Sequence, residues 1–275
     1  MMCAWNELIS ILPIWLRSEV DMLGKDTLNE LRLRINAPPE LVMGTKRIWL
    51  TRDITLEDLN FVINTASRYS PWRAATISEG YITAPGGHRI GIGGEYLYKN
   101  GTIDGVRQIT SLCIRIARDF PGIGNVADST AGNTLILGAP GYGKTTLLRD
   151  MVRHYAELET VCVVDERSEL FPEGLLQGKR TDILTGCPKT LGVEIALRTL
   201  GPERIAVDEI TAQKDCLALI NASNCGVRLT ATAHGSSVRD FRSRKVYEPL
   251  IDNCVFDTLI ILRRDRSYEV ERLTL

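Results

Sequence analysis

Nothing in this chain is built to cross a membrane or to hold a metal through sulfur. No apolar run approaches the roughly 20 residues of a helical span. The opening stretch, Met1 to Leu16, is apolar, yet it carries Asn6, Glu7 and Pro13, has no Lys or Arg before Arg17, and leads to no small-residue cleavage site. It is expected to be neither signal peptide nor span, but an amphipathic helix packed on the protein itself. The seven cysteines, Cys3, Cys113, Cys162, Cys187, Cys216, Cys225 and Cys254, include no C-x-x-C pair and have no neighbouring histidine cluster. Zinc ligands usually stand about two to four residues apart, so these read as reduced thiols in small core positions of a cytosolic protein. Excess positive charge is missing too. Against 34 Asp and Glu there are 33 Lys and Arg, a formal net charge of −1, so the global electrostatic footprint of a nucleic-acid binder is absent and any polyanion site must be local. Repeats and low-complexity segments are lacking.

What is there is ordinary soluble composition, 44% apolar and 24% charged over 275 residues, enough for one large domain or two modest ones. Residues 28 to 50 alternate with period two, Leu31, Leu33 and Ile35 against Arg32, Arg34 and Asn36. Pro38-Pro39 breaks that run before Ile48-Trp49-Leu50 resumes it, which predicts short half-solvated strands. Thr55 and Asp58 make a capping-box-like start to a helix with Leu59, Val62, Ile63 and Ala66 on one face, ending near Tyr69-Ser70-Pro71. Tyr81-Ile82-Thr83, the turn Ala84 to Gly87, and His88 to Gly94 predict a hairpin. A second turn at Lys99-Asn100-Gly101 introduces another strand pair that ends in Ser111 to Arg118. This first part reads as a small α+β domain. Asp119 to Asn125 is rich in breakers, so the division falls at residues 1–122 and 123–275. Beyond it strand and helix alternate. Strands near 133–137, 161–165, 204–208 and 227–233, each followed by a helical stretch, predict an α/β domain with a mainly parallel sheet covered on both faces. Phe256–Leu262 and Tyr268–Leu273 look like an antiparallel edge hairpin.

The stretch that organises the second domain is Gly138-Ala139-Pro140-Gly141-Tyr142-Gly143-Lys144-Thr145, followed by Thr146. It has the form G-x-x-x-x-G-K-[ST], with the apolar run Thr134 to Leu137 before it and a helical pattern of Leu147, Leu148, Met151, Val152 and Tyr155 after it. Strand, loop and helix in that order make a phosphate-binding loop: backbone N–H groups close on a polyphosphate and the helix N-terminus faces the same charge. Lys144 is expected on the β- and γ-phosphates and Thr145 on Mg²⁺.

Two strands end in Asp-Glu, Val161 to Glu166 and Ile205 to Glu209. In motor-type P-loop ATPases the strand carrying the metal-side acid is third in chain order, with a further strand between it and the loop strand. By that count Asp208 holds Mg²⁺ through water, and Glu209 orients or deprotonates the attacking water. The bland alternative for both is helix capping after a strand. The fourth strand ends at His234. If that strand is the inserted one, His234 is poised to sense the γ-phosphate at the ligand-binding edge of the sheet; otherwise it is a hydrogen-bonded turn residue. His88 and His154 lack such context and read as structural.

Taken together, the phosphate loop, Val163 to Leu170, Ile205 to Glu209 and Thr232-Ala233-His234-Gly235 resemble the Walker A, Asp box, Walker B and His box of type II and type IV secretion ATPases. For a sporulation branch of that family the resemblance spans the whole chain, through Glu30 to Asn36, Gly80 to Thr83, Pro85 to Arg89, Ile114 to Arg118, Thr181 to Leu184 and Gly186 to Lys189. The resemblance implies a RecA-like P-loop ATPase domain behind the smaller α+β domain, an ATP- and Mg-dependent hydrolase assembled as a homo-hexamer. It also implies a cytoplasmic protein at the cytoplasmic face of a membrane, held there by membrane proteins of the channel between mother cell and forespore. Family arginines from the first domain approach the phosphates. Arg89 and Arg115 stand in the matching segments, with Arg118 third; alternatively they are exposed faces of alternating strands. Glu166 and Glu169 match the Asp box by position. Pilus-motor relatives commonly end the Walker B strand in Gly-Glu, where this chain has Asp208-Glu209, so the Asp-box role stays open between Asp165 and Glu166.

Two other classes compete. A RecA-like nucleic-acid translocase could use Arg242-Ser243-Arg244-Lys245 and Arg263-Arg264-Asp265-Arg266, but these groups are short and lack interleaved aromatics, so no nucleic-acid partner is expected. A nucleotide-gated scaffold with little turnover would not need the full set Lys144, Thr145, Asp208 and Glu209.

Overall fold

Pro13 decides how the chain begins to fold, because its ring denies the helix a continuous run. In the computed structural model, which describes residues 4–24, 27–68, 80–99, 101–130, 132–172 and 175–273, helices Trp5–Ile11 and Ile14–Gly24 form on either side of it. Trp5, Leu8, Ile11, Leu12, Leu16 and Val20 are all buried in one core, so the opening stretch is two packed helices rather than one. Helix Leu56–Ala66 starts on the expected capping box: the Asp58 N–H donates to Thr55 Oγ1 (3.2 Å) and the Thr55 N–H donates to Asp58 Oδ2 (3.0 Å). Its expected end at Tyr69 to Pro71 lies outside the described residues.

The chain divides into two compact units, residues 1–119 with 172–175, and residues 120–171 with 176–275. The sheet of the first is antiparallel throughout, in the order β3-β2-β1-β6-β5-β4, with β1 Glu30–Arg34, β2 Glu40–Met43, β3 Lys46–Trp49, β4 Tyr81–Thr83, β5 Arg89–Lys99 and β6 Thr102–Arg115. Period two sets its faces. Leu31 and Leu33 enter the core, while Glu30, Arg32 and Arg34 take the other side. The second turn does not open a separate strand pair: β5 runs unbroken to Lys99 and is shared by both turns.

His88 ties this unit together. Fully buried, it accepts the Ala117 N–H at Nδ1 (3.2 Å), which leaves Nε2–H to donate to the Ala4 carbonyl (2.9 Å). Burial depresses its pKa below the ordinary histidine value of 6.5. The unfolded chain therefore binds the proton more readily, and the stability present above about pH 6.5 is lost as pH falls toward the folded value. Urea unfolding followed from pH 7.5 to pH 5 should show stability declining only below about pH 6.5, by at most about 1.4 kcal/mol per pH unit, with His88→Gln flattening the slope.

In the second unit the seven strands run β13-β12-β7-β11-β10-β8-β9, with β7 Thr134–Gly138, β8 Val161–Asp165, β9 Thr181–Thr185, β10 Arg204–Ile210, β11 Arg228–His234, β12 Thr258–Leu262 and β13 Tyr268–Arg272. All pairings are parallel except β12 with β13. On one face Ile136, Val163, Ala206 and Ile260 pack under helix Lys144–Tyr155. On the other, Leu135, Val164, Ile205 and Leu229 pack with helices Lys189–Ile195 and Gln213–Asn224. Two expectations need correction. The final pair is a hairpin, but β12 is an interior strand, buried along its whole length beside β7; only β13 forms the edge. Among the described residues no helix follows β8 directly. Asp165 draws that chain into a turn, and β9, which alternation did not reveal, comes next. Among the described cysteines only Cys162 and Cys216 fill core positions, where burial pushes their thiols up to about 12 and about 11; Cys225 and Cys254 are exposed.

Candidate active site

Strand β7 is buried at every residue and delivers the chain to a loop that only glycines can shape: Gly141 and Gly143 adopt φ of +78° and +98°. Helix Lys144–Tyr155 then starts without a side-chain cap and without an acid in its first turn, so its positive end is left for an anion. Lys144 folds back over the loop and donates from Nζ to the Gly138 carbonyl (2.9 Å) and the Ala139 carbonyl (3.2 Å). Its burial lowers its pKa, while the charges of Glu209 and Asp208 act in the opposite direction.

Register brings the acids to the same place. β11 lies between β7 and β10, His234 stands opposite Gly138, and β10 carries Asp208 and Glu209. Asp208 accepts the Thr145 hydroxyl at Oδ2 (2.9 Å) and the Thr232 hydroxyl at Oδ1 (2.6 Å), and Thr232 Oγ1 in turn accepts the Glu209 N–H (2.7 Å). The β10–β11 register shifts between Val207 and Ile210, and Glu209 sits there at φ +54°. A bulge with a left-handed non-glycine residue costs about 1–3 kcal/mol and re-aims a side chain. The Glu209 carboxylate meets Arg167 Nη1 at 3.1 Å. The His234 backbone is clasped by the Tyr247 hydroxyl, which accepts its N–H (3.1 Å).

The two acids at the end of β8 are otherwise engaged. Asp165 is buried and accepts the N–H groups of Glu169 (2.9 Å), Leu170 (2.8 Å) and Phe171 (3.3 Å). Burial raises its pKa, those hydrogen bonds oppose the rise, and the Asp208 charge adds to it. Glu166 is paired with Lys189. Arg89 and Arg115 belong to the first unit, where they are direct cross-strand neighbours on β5 and β6. Arg89 lies over the Tyr81 ring (4.2 Å), Arg115 is 3.8 Å from Glu30, and Arg118 donates to the Leu28 carbonyl (2.9 Å). In the two basic groups, Arg244 is bonded to Asp240 and Arg263 to Glu269.

Thr145 and Asp208 fit the Mg²⁺ of a P-loop ATPase: a hydroxyl and a carboxylate, both hard oxygen donors, touch each other, and Thr232 fixes the second carboxylate oxygen. Sequence reasoning assigned no role to Thr232, Arg167 or Lys189. For Thr232 a signal existed, since Thr230 and Thr232 alternate as the polar residues inside an otherwise buried strand.

A central parallel sheet with its phosphate loop on one strand and the acid pair on the next but one defines a RecA-like P-loop fold, here in a chain whose other unit is built on an antiparallel sheet. Two solved structures share this fold: the pilus retraction motor PilT with bound ADP (TM-score 0.65, 14% identity, covering 100% of this chain and 84% of that one) and the Legionella pneumophila ATPase DotB (TM-score 0.59, 18% identity, 95% and 80%). The chain belongs to the family described as "Sporulation stage III, protein AA", whose model matches residues 6–271. The Stage III sporulation protein AA of Bacillus subtilis (strain 168) is 35% identical over 95% of this chain and 92% of its own length.

Proposed function

We propose that this protein hydrolyses ATP and that the resulting motion drives or assembles the channel between mother cell and forespore. One observation carries the reading: the hydrogen-bonded series Thr145, Asp208, Thr232, Glu209 joins the phosphate loop to a carboxylate aimed by a bulge. Lys144 neutralises the β- and γ-phosphates, with the loop amides and the helix N-terminus sharing that charge. Thr145 and, through water, Asp208 would hold Mg²⁺, which would supply charge neutralisation of the phosphates. Glu209 leaves Arg167 to take a proton from the attacking water, and His234, beside Gly138, senses whether the γ-phosphate is present. Arg89 and Arg115 lend positive charge to the transferred phosphoryl group, and Glu166 acts through its pairing with Lys189.

No helix among the described residues is long and apolar enough to cross a membrane. In the proposed arrangement a homo-hexamer works from the cytoplasmic face, bound to membrane proteins of the channel. Purified protein is expected to release phosphate from ATP only with Mg²⁺ present, and its specific activity should rise with protein concentration as rings form. Activity that persists in excess EDTA refutes the assignment of Thr145 and Asp208, and a rate independent of concentration refutes the ring.

A further inference from the structure

A cavity of about 560 Å³ opens beside the phosphate loop, within the range of small-molecule sites at about 300–1,000 Å³. Away from the loop its walls are Phe120, Ile123, Leu262, Arg266 and Tyr268. Aromatic and aliphatic faces continuous with a phosphate cradle have the chemistry of a slot for a nucleobase, which stacks on any π-face. The polar side chain at its rim is held deliberately. Arg266 sits at φ +69° in the β12–β13 turn, donates its N–H to the Arg263 carbonyl (3.0 Å), and places its guanidinium 5.8 Å from the Phe120 ring centroid. Next to it, Asp265 Oδ1 accepts both the N–H (3.0 Å) and the hydroxyl (2.6 Å) of Ser267, and Arg263 pairs with Glu269. A non-glycine residue held in the left-handed region stores backbone strain.

Among the described residues, the lining beyond the loop has no side-chain carboxylate and no side-chain amide. Arginine has only donors. Along its N7 edge guanine offers two acceptors, N7 and O6, whereas adenine offers N7 and a donor amino group, so a guanidinium pairs fully with guanine alone. The Tyr268 hydroxyl, donor and acceptor alike, favours neither base. Resting on the nucleotide reading above, we propose that Arg266 reads the purine edge and that the site accepts GTP at least as well as ATP.

Calorimetric titration of the full chain with Mg²⁺ and ATP, GTP or CTP tests this. GTP should bind as tightly as ATP or up to about 10-fold tighter, with CTP weakest. Arg266→Gln, whose amide matches adenine N6 and N7, should shift the preference toward ATP by about 10-fold. Arg266→Gly, which relaxes the left-handed turn while deleting the reader, should abolish any guanine preference. ATP binding more than about 10-fold tighter than GTP in the unaltered protein, or a ratio unmoved in Arg266→Gln, overturns the proposal. Failure of all three nucleotides to bind overturns instead the nucleotide reading on which it rests.

Discussion

Replacing Glu209 with glutamine is expected to lower kcat for ATP by about 10²- to 10⁴-fold with ATP affinity little changed. The substitution keeps the side chain's shape and removes only its ability to take a proton. The backbone at φ +54° and the N–H bond to Thr232 are independent of the carboxylate charge, and only the exposed pairing with Arg167 is weakened. Lys144→Ala should behave differently. Its ammonium spans the loop carbonyls of Gly138 and Ala139 and faces the charges of Asp208 and Glu209, so its loss weakens ATP binding and lowers turnover together, by about 10²- to 10³-fold in kcat. Steady-state phosphate release with separate binding titrations distinguishes the two patterns. Full turnover in Glu209→Gln would sink the mechanism.

The second large effect is on stability and lies at the opposite end of the sheet. Arg204 opens β10 and is almost completely buried. It pairs with Glu159, donates to Thr230 Oγ1 (2.9 Å) and the Gly132 carbonyl (3.0 Å), and lies 3.8 Å from the Tyr155 ring centroid. Glu159 is held by Arg228 as well, but Arg228 is half-exposed. Deleting Arg204 leaves a carboxylate in the core with its buried partner gone, so Arg204→Ala should cost about 3–5 kcal/mol, read as a fall in the urea midpoint. Changing both residues at once, Arg204→Met with Glu159→Met, removes both charges and should recover much of that loss. A double variant as unstable as Arg204→Ala would show that the hydrogen bonds to Thr230 and Gly132, rather than the stranded charge, carry the effect.

How much of this was legible depends on how local each signal is. Strands β7, β8, β10 and β11 and the phosphate loop announce themselves in single windows, as apolar runs bounded by glycine or acid. The place of β11 followed from counting strands, and the register of His234 against Gly138 agrees with that count. β9 was invisible because Thr181–Thr185 is half-exposed with only Ile183 and Leu184 apolar, too short a pattern to outweigh its polar neighbours. The interior position of β12 was hidden for another reason: a hairpin signal tells which strand follows, never what lies on the other side. Side-chain partnerships between distant segments were out of reach. Asp165 and Asp208 have the same sequence context, apolar strand then Asp-Glu, yet one is consumed by three loop amides and the other meets Thr145. The left-handed turn at Glu209 and the burial of Arg204 arise from partners far away in the chain.

The position of β7 also dictates an order of events on the ribosome. Its two hydrogen-bonding neighbours, β11 and β12, are encoded far downstream of it. While the polypeptide is being made, Thr134–Gly138 is therefore an apolar strand with both edges open, the kind of segment that invites aggregation. The six strands of the first unit, by contrast, find every partner among residues 30–115 and can settle early. Parallel pairing across long separations is slow, so β7 gains both neighbours only after Thr258–Leu262 has been made. A finished phosphate loop waits for β11 and β12 to join β7, which makes nucleotide binding a report on the assembled sheet.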